Sequence, residues 1–236
     1  MSALYKLIAN LREALERGGN GPAADSPAPH TNGAAMPVAR AARRAELAAS
    51  FARELEAVGG HFLGMLSPGE AAVRINELAS SLQVRTAAIG EGIVLDTGLY
   101  ADQFARRSNI TVIRPGPVKD DEARAAMRDQ LARCDLAIVE APVAVASSGT
   151  VAIAATPSRP SSLTLLPPVN IILVDADRLV ADLAEAIAMI GPTAIANHRV
   201  AFITGPSRTA DIEKRIVLGV HGPRELYVAL IWSGND

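Results

Sequence analysis

The chain has 236 residues, with 23 Lys and Arg against 25 Asp and Glu, 49% apolar residues, 3% aromatics and one cysteine. That length suits one large α/β domain or one domain with an appendage, without requiring two full domains, and the near-neutral charge supplies no basic field for a polyanion. Too few aromatics remain for a stacking platform, and the lone Cys134 excludes a disulfide framework, a thiolate zinc site or a resident iron–sulfur cluster, which takes about four thiolates.

In chain order, Leu4, Leu7, Ile8, Leu11 and Leu15 recur at helical spacing and predict an amphipathic helix over residues 1–17. Its charges interrupt any apolar core, so it is not a secretory signal, and a cytoplasmic protein is expected. Residues 18–37, GGNGPAADSPAPHTNGAAMP, read as a flexible linker, and the α/β domain is expected over 38–236. A helix over 40–58 carries Leu47, Phe51, Leu55 and Val58 on one face. Ser67-Pro68-Gly69-Glu70 has the form of a capping box opening a helix to Leu82. Val84–Ile89 reads as a strand before Gly90-Glu91-Gly92, which lacks the third glycine of a dinucleotide fingerprint. A helical turn over 101–107, a strand over 110–113, a charged helix over 120–133 and an apolar strand over 136–139 follow. The uncharged stretch 141–158 reads as two buried strands around Ser147-Ser148-Gly149-Thr150 rather than a membrane span. Strands over 169–174, 200–203 and 226–231 and a helix over 179–190 complete the pattern. Short apolar strands alternating with helices predict a mainly parallel sheet covered on both faces, a three-layer α/β/α sandwich.

Ligands of such sheets bind beyond the carboxyl ends of the strands, and three segments are expected there. Gly205-Pro206-Ser207-Arg208-Thr209, read as a turn opening a helix, offers hydroxyls, amides and the donor fork of Arg208 to a carboxylate or phosphate; an ordinary helix cap with Arg208 paired to Asp211 or Glu213 uses the same residues. His221 and Gly222 stand in a glycine-flanked loop, where the imidazole suits proton transfer or anion contact. Ser148, Gly149 and Thr150, with Asn170 at the start of a strand, could hold an anion or form a plain turn. There is no Walker loop and no nucleophile elbow, the four histidines lack metal-ligand spacing, and nothing suggests nucleic acid.

The runs Ile203-Thr204-Gly205-Pro206-Ser207-Arg208-Thr209-Ala210-Asp211-Ile212-Glu213 and Leu218-Gly219-Val220-His221-Gly222-Pro223 closely resemble the signature of the LUD-domain family, of the lactate-utilisation C type. Cys134–Ile138, Ser148-Gly149-Thr150 and Leu165–Val169 precede them in the family's order, so the resemblance covers Leu47 to Trp232. Two positions depart from the pattern: Ser147 where an acidic residue is usual, and Asn170 where a histidine is usual. The resemblance implies a NagB/RpiA/CoA-transferase-like fold. It also implies a subunit of a system that oxidises L-lactate to pyruvate, with iron–sulfur clusters on partner subunits and none in this chain. On that reading Gly205, Pro206, Ser207, Arg208, Thr209, Gly222, Ser148, Gly149, Thr150 and Asn170 bind a small anion, Asp211 orients Arg208, and His221 and Asp211 are the catalytic candidates. An independent enzyme of that superfamily, acting on an acyl, sugar-phosphate or folate-like substrate with Glu140, Asp211 or Glu213 as its carboxylate, is the alternative.

Overall fold

The computed structural model describes residues 35–92, 110–191, 199–210, 216–218 and 222–232. The helix expected near the N-terminus and the helical turn over 101–107 lie outside them. The second of two compact units, Ala39–Asp236, holds the sheet.

Helix α1 (Ala35–Ala57) begins within the stretch expected to be linker, and Phe51 and Leu55 on its inner face are fully buried. It leads into β1 (His61–Leu66), a strand the sequence did not signal, because an internal Gly64 at φ +111° and a register shift break its alternation. The capping box closes as expected: the Ser67 hydroxyl accepts from the Glu70 amide, the Glu70 carboxylate accepts from the Ser67 amide at 2.8 Å, and α2 (Pro68–Ser81) follows. Next come β2 (Thr86–Ile89), β3 (Thr111–Ile113), α3 (Asp121–Ala132) and β4 (Leu136–Ala141). The chain then builds β5 (Val143–Val145), β6 (Thr150–Ala154), the short α4 (Ser161–Leu165) and β7 (Val169–Asp175). Beyond a 3-10 turn lie β8 (Leu179–Val180) and α5 (Leu183–Ile190), then β9 (Val200–Ile203), β10 (Arg208–Ala210), β11 (Ile216–Leu218) and β12 (Glu225–Ile231). The helix expected from residue 179 starts four residues later, because Leu179 and Val180 pair with β5 and Asp182 caps the amide of Glu185 at 2.9 Å.

Six strands form one parallel sheet in the order β1-β12-β7-β4-β2-β3. Its central strands are buried on both faces, which is why they read as continuous apolar runs. Helices α1, α3 and α4 contribute Phe51, Leu55, Leu131 and Leu163 to the core on one face. Helix α2 packs Ala71, Ala72, Ile75 and Ala79 on the other, giving the expected α/β/α arrangement. A second sheet, β8-β5-β6-β9, joins the first core through Ala144, Ala146, Val151 and Ile153, and α5 packs against its outer side. The strand over 200–203 therefore belongs to this second sheet, antiparallel to β6, and not to the parallel one.

Candidate functional site

Two of the turns singled out from the sequence, far apart along the chain, meet on the carboxyl-terminal end of α1. Gly149, at φ +60°, lies so close to the helix that a Cβ there would come within 2.3 Å of the Leu55 amide nitrogen. Gly205, at φ +83°, packs on Val58, where a Cβ would come within 3.0 Å of the carbonyl oxygen. Both conformations exclude a side chain on backbone grounds as well. A chain of hydroxyls ties the turns together: Ser148 Oγ to Thr150 Oγ1 at 2.8 Å, and Thr150 Oγ1 to Thr204 Oγ1 at 2.6 Å.

Arg208 completes the junction. Its guanidinium lies over Gly59, at φ +82°, with Nη2 2.3 Å from where a Cβ would stand. The side chain is exposed, and it is absent from the ion pairs found among the described residues. The turn does not open a helix, as the sequence suggested. Arg208–Ala210, including Thr209, forms a strand paired antiparallel with Ile216–Leu218. The Ser207 amide donates to the Pro223 carbonyl at 2.8 Å, and Gly222 lies against the Ser207 side chain, where a Cβ would meet Ser207 Cβ at 3.1 Å. Gly59 and Pro223 immediately precede β1 and β12, so the Gly205–Arg208 turn sits at the amino edge of the parallel sheet and not beyond its carboxyl ends. The helix end it meets is the negative one, which favours the guanidinium and adds nothing for an anion. Anion-holding capacity here belongs to the planar fork of Arg208 and the neighbouring hydroxyls.

Asn170 is placed elsewhere. It is fully buried in β7, where Nδ2 donates to the Thr164 carbonyl at 2.7 Å, and its Oδ1 finds no partner. Asp211 and His221 lie outside the described residues. Arg159, not singled out from the sequence, bridges loops at the opposite, carboxyl edge: Nε donates to the Ala154 carbonyl at 2.9 Å and Nη1 to that of Glu140 at 3.0 Å. Its only sequence signal is a cation in the Pro157–Pro160 loop directly after an apolar strand. No described helix is long and apolar enough to cross a membrane.

A mainly parallel sheet with helices on both sides places the chain among three-layer α/β proteins. Its fold is similar to a crystal structure of a DUF162 family protein from Deinococcus radiodurans, with a TM-score of 0.59 at 19% identity over 80% of this chain and 98% of that one. The chain belongs to the LUD domain family, whose model matches residues 48–231. Among curated proteins it is 33% identical over 116 residues to lactate utilization protein C of Exiguobacterium sp., covering 48% of this chain and 50% of that protein. It is 37% identical over 113 residues to lactate utilization protein C of Macrococcus caseolyticus, covering 44% and 47%. An uncharacterized protein of Neisseria meningitidis is 34% identical over 90 residues, covering 37% and 38%. The chain thus spans half or less of the length of these relatives.

Proposed function

We propose that this chain is a component of a lactate-utilisation system that oxidises L-lactate to pyruvate. In this reading it carries no redox centre, works beside iron–sulfur partner subunits in the cytoplasm, and holds a small carboxylate or phosphate at Arg208. The names of its curated relatives support the system, and the single buried cysteine supports the division of labour, since one inaccessible thiol cannot hold a cluster. The observation that carries the ligand-binding part is the meeting of the two signature turns at α1, with an exposed guanidinium beside them. Ser148 and Thr204 supply hydroxyls at the same junction, and His221 is the candidate to close the site and move a proton.

Titration calorimetry with L-lactate, pyruvate and inorganic phosphate tests it. Arg208→Lys should weaken binding of at least one of them about tenfold, because a point charge cannot replace the fork. Arg208→Ala that binds all three as the wild type does would remove Arg208 from the reading. Absence of any cysteine-rich protein co-purifying with the tagged chain from cells grown on lactate would count against the partnership.

A further inference from the structure

Two strands end the parallel sheet, and they are finished differently. β3 is three residues long, starts with an exposed Thr111 and runs into an exposed Arg114 and then Pro115, the short, charged form in which sheet edges are protected. β1 is six residues long, reads His-Phe-Leu-Gly-Met-Leu, and carries no Lys, Asp, Glu or Pro. Among the described residues it pairs only with β12, which leaves the outer row of its amides and carbonyls open. The bulge at Leu63 guards the start of the strand, but Gly64, Met65 and Leu66 beyond it run in unbroken register with Ala229, Leu230 and Ile231. This edge is apolar on both faces of the sheet. Met65 shares the α1 face with Leu230 and is 38% exposed. Leu66 lies on the α2 face, where it lines a groove with Gly69, Glu70, Val73, Arg74 and Glu77, and Val73 is 51% exposed. An open strand flanked by apolar side chains above and below is a surface built to be covered.

The charges on α2 indicate what covers it. Glu70, Arg74 and Glu77 alternate in sign along the outer side of the helix, all three exposed, with Arg74 and Glu77 3.4 Å apart. When two identical edge strands pair antiparallel, the two-fold axis stands perpendicular to the sheet. It brings their covering helices side by side and antiparallel on one face. Reversed, the row on α2 presents the same succession of signs. An axis close to Val73 then sets each Arg74 opposite Glu70 of the second copy and packs the two Val73 side chains together. Charges that match across such an axis mark a surface that complements itself, whereas an unrelated partner would have to bring both a free strand and the matching row. We infer that the chain forms a two-fold dimer through β1, joining two parallel sheets into one continuous sheet. Met65 is buried on one face of the junction, and Leu66 and Val73 on the other. The dimer stands independently of any anion at Arg208.

Analytical ultracentrifugation of the full chain tests it. At about 100 μM, where even a modest interface is populated, the wild type should sediment as a dimer. Met65→Lys, which puts a charge on the open edge, should weaken self-association by roughly tenfold or more while the circular dichroism stays native. Arg74→Glu, facing Glu70 of the second copy, should weaken it several-fold. Phe202→Lys, an equally exposed position at the edge of the second sheet, should leave it unchanged. A wild type that stays monomeric, a dimer that survives Met65→Lys or is indifferent to Arg74→Glu, or one that Phe202→Lys disrupts overturns the inference. Should the lysine variant fail to fold, Met65→Cys decides, because Cys134 is buried and the new thiol is the one that reacts. Its labelling by a thiol reagent should slow as the protein is concentrated. Slow labelling at every concentration would mean that a segment of the same chain covers β1, and fast labelling at every concentration that nothing does; either result overturns the second copy.

Discussion

Cys134 sits between α3 and β4, 2% exposed, with Sγ 3.4 Å from the Gln130 carbonyl. Burial, and after it the charge of Asp135, pushes its thiol from about 9 up to about 11. The fold therefore keeps the proton at a pH where the unfolded chain gives it up. Stability from this group is complete below pH 9 and is lost as pH rises toward 11, by about 2–3 kcal/mol. Urea unfolding of wild type and Cys134→Ala at pH 8 and pH 11 should show the wild type losing that much more, and parallel losses would mean another group is responsible. The two residues that depart from the family pattern also differ from one another physically. Asn170 is locked beneath α4 as a buried amide, whereas Ser147 belongs to the turn that lies on α1.

At the scale of elements, the apolar periodicity made most of the parallel sheet legible. The strands over 136–139, 169–174 and 226–231 are buried on both faces and so read as unbroken apolar runs, and the Ser67 capping box announced α2. What the sequence concealed was assignment to a sheet. Val200–Ile203 looks like any other short apolar strand, yet its antiparallel pairing with β6 carries the following turn to the amino edge. Gly205-Pro206-Ser207 likewise reads as a helix start until β11 appears as the partner of β10, a long-range pairing that local propensity cannot see. The two turns were singled out from motif, but their meeting on α1 depends on Gly149 and Gly205 fitting against a helix backbone. Gly149→Ala should therefore destabilise by about 3 kcal/mol or more, from a positive φ and a clash with rigid backbone together. Gly69→Ala, in the first turn of α2 with nothing within 4 Å, should leave stability unchanged or raise it by up to about 1 kcal/mol. Equal chemical-denaturation midpoints for the two variants would mean that the turn is not wedged against α1.

Across the whole domain, the two edges of the sheet differ in how firmly they are held. Strands β4, β7 and β12 pair on both sides and carry Val139, Ile172 and Val228 into a common core. Opening them requires opening the core itself, so their amides should exchange only near the rate of global unfolding. The β10–β11 pair joins no other strand among the described residues, and β9 borders the second sheet with Phe202 43% exposed. Amides over 200–203 and 208–210 should consequently exchange roughly a hundredfold faster than those over 171–174, by local opening. This gradient turns hydrogen exchange into a way of locating a bound anion. A ligand on Arg208 must hold β10 in place and should slow exchange over 208–210 while leaving 89–92 as it was. Exchange measured with saturating L-lactate therefore tests the Arg208 reading without any substitution, and unchanged exchange over 208–210 would take the ligand away from Arg208.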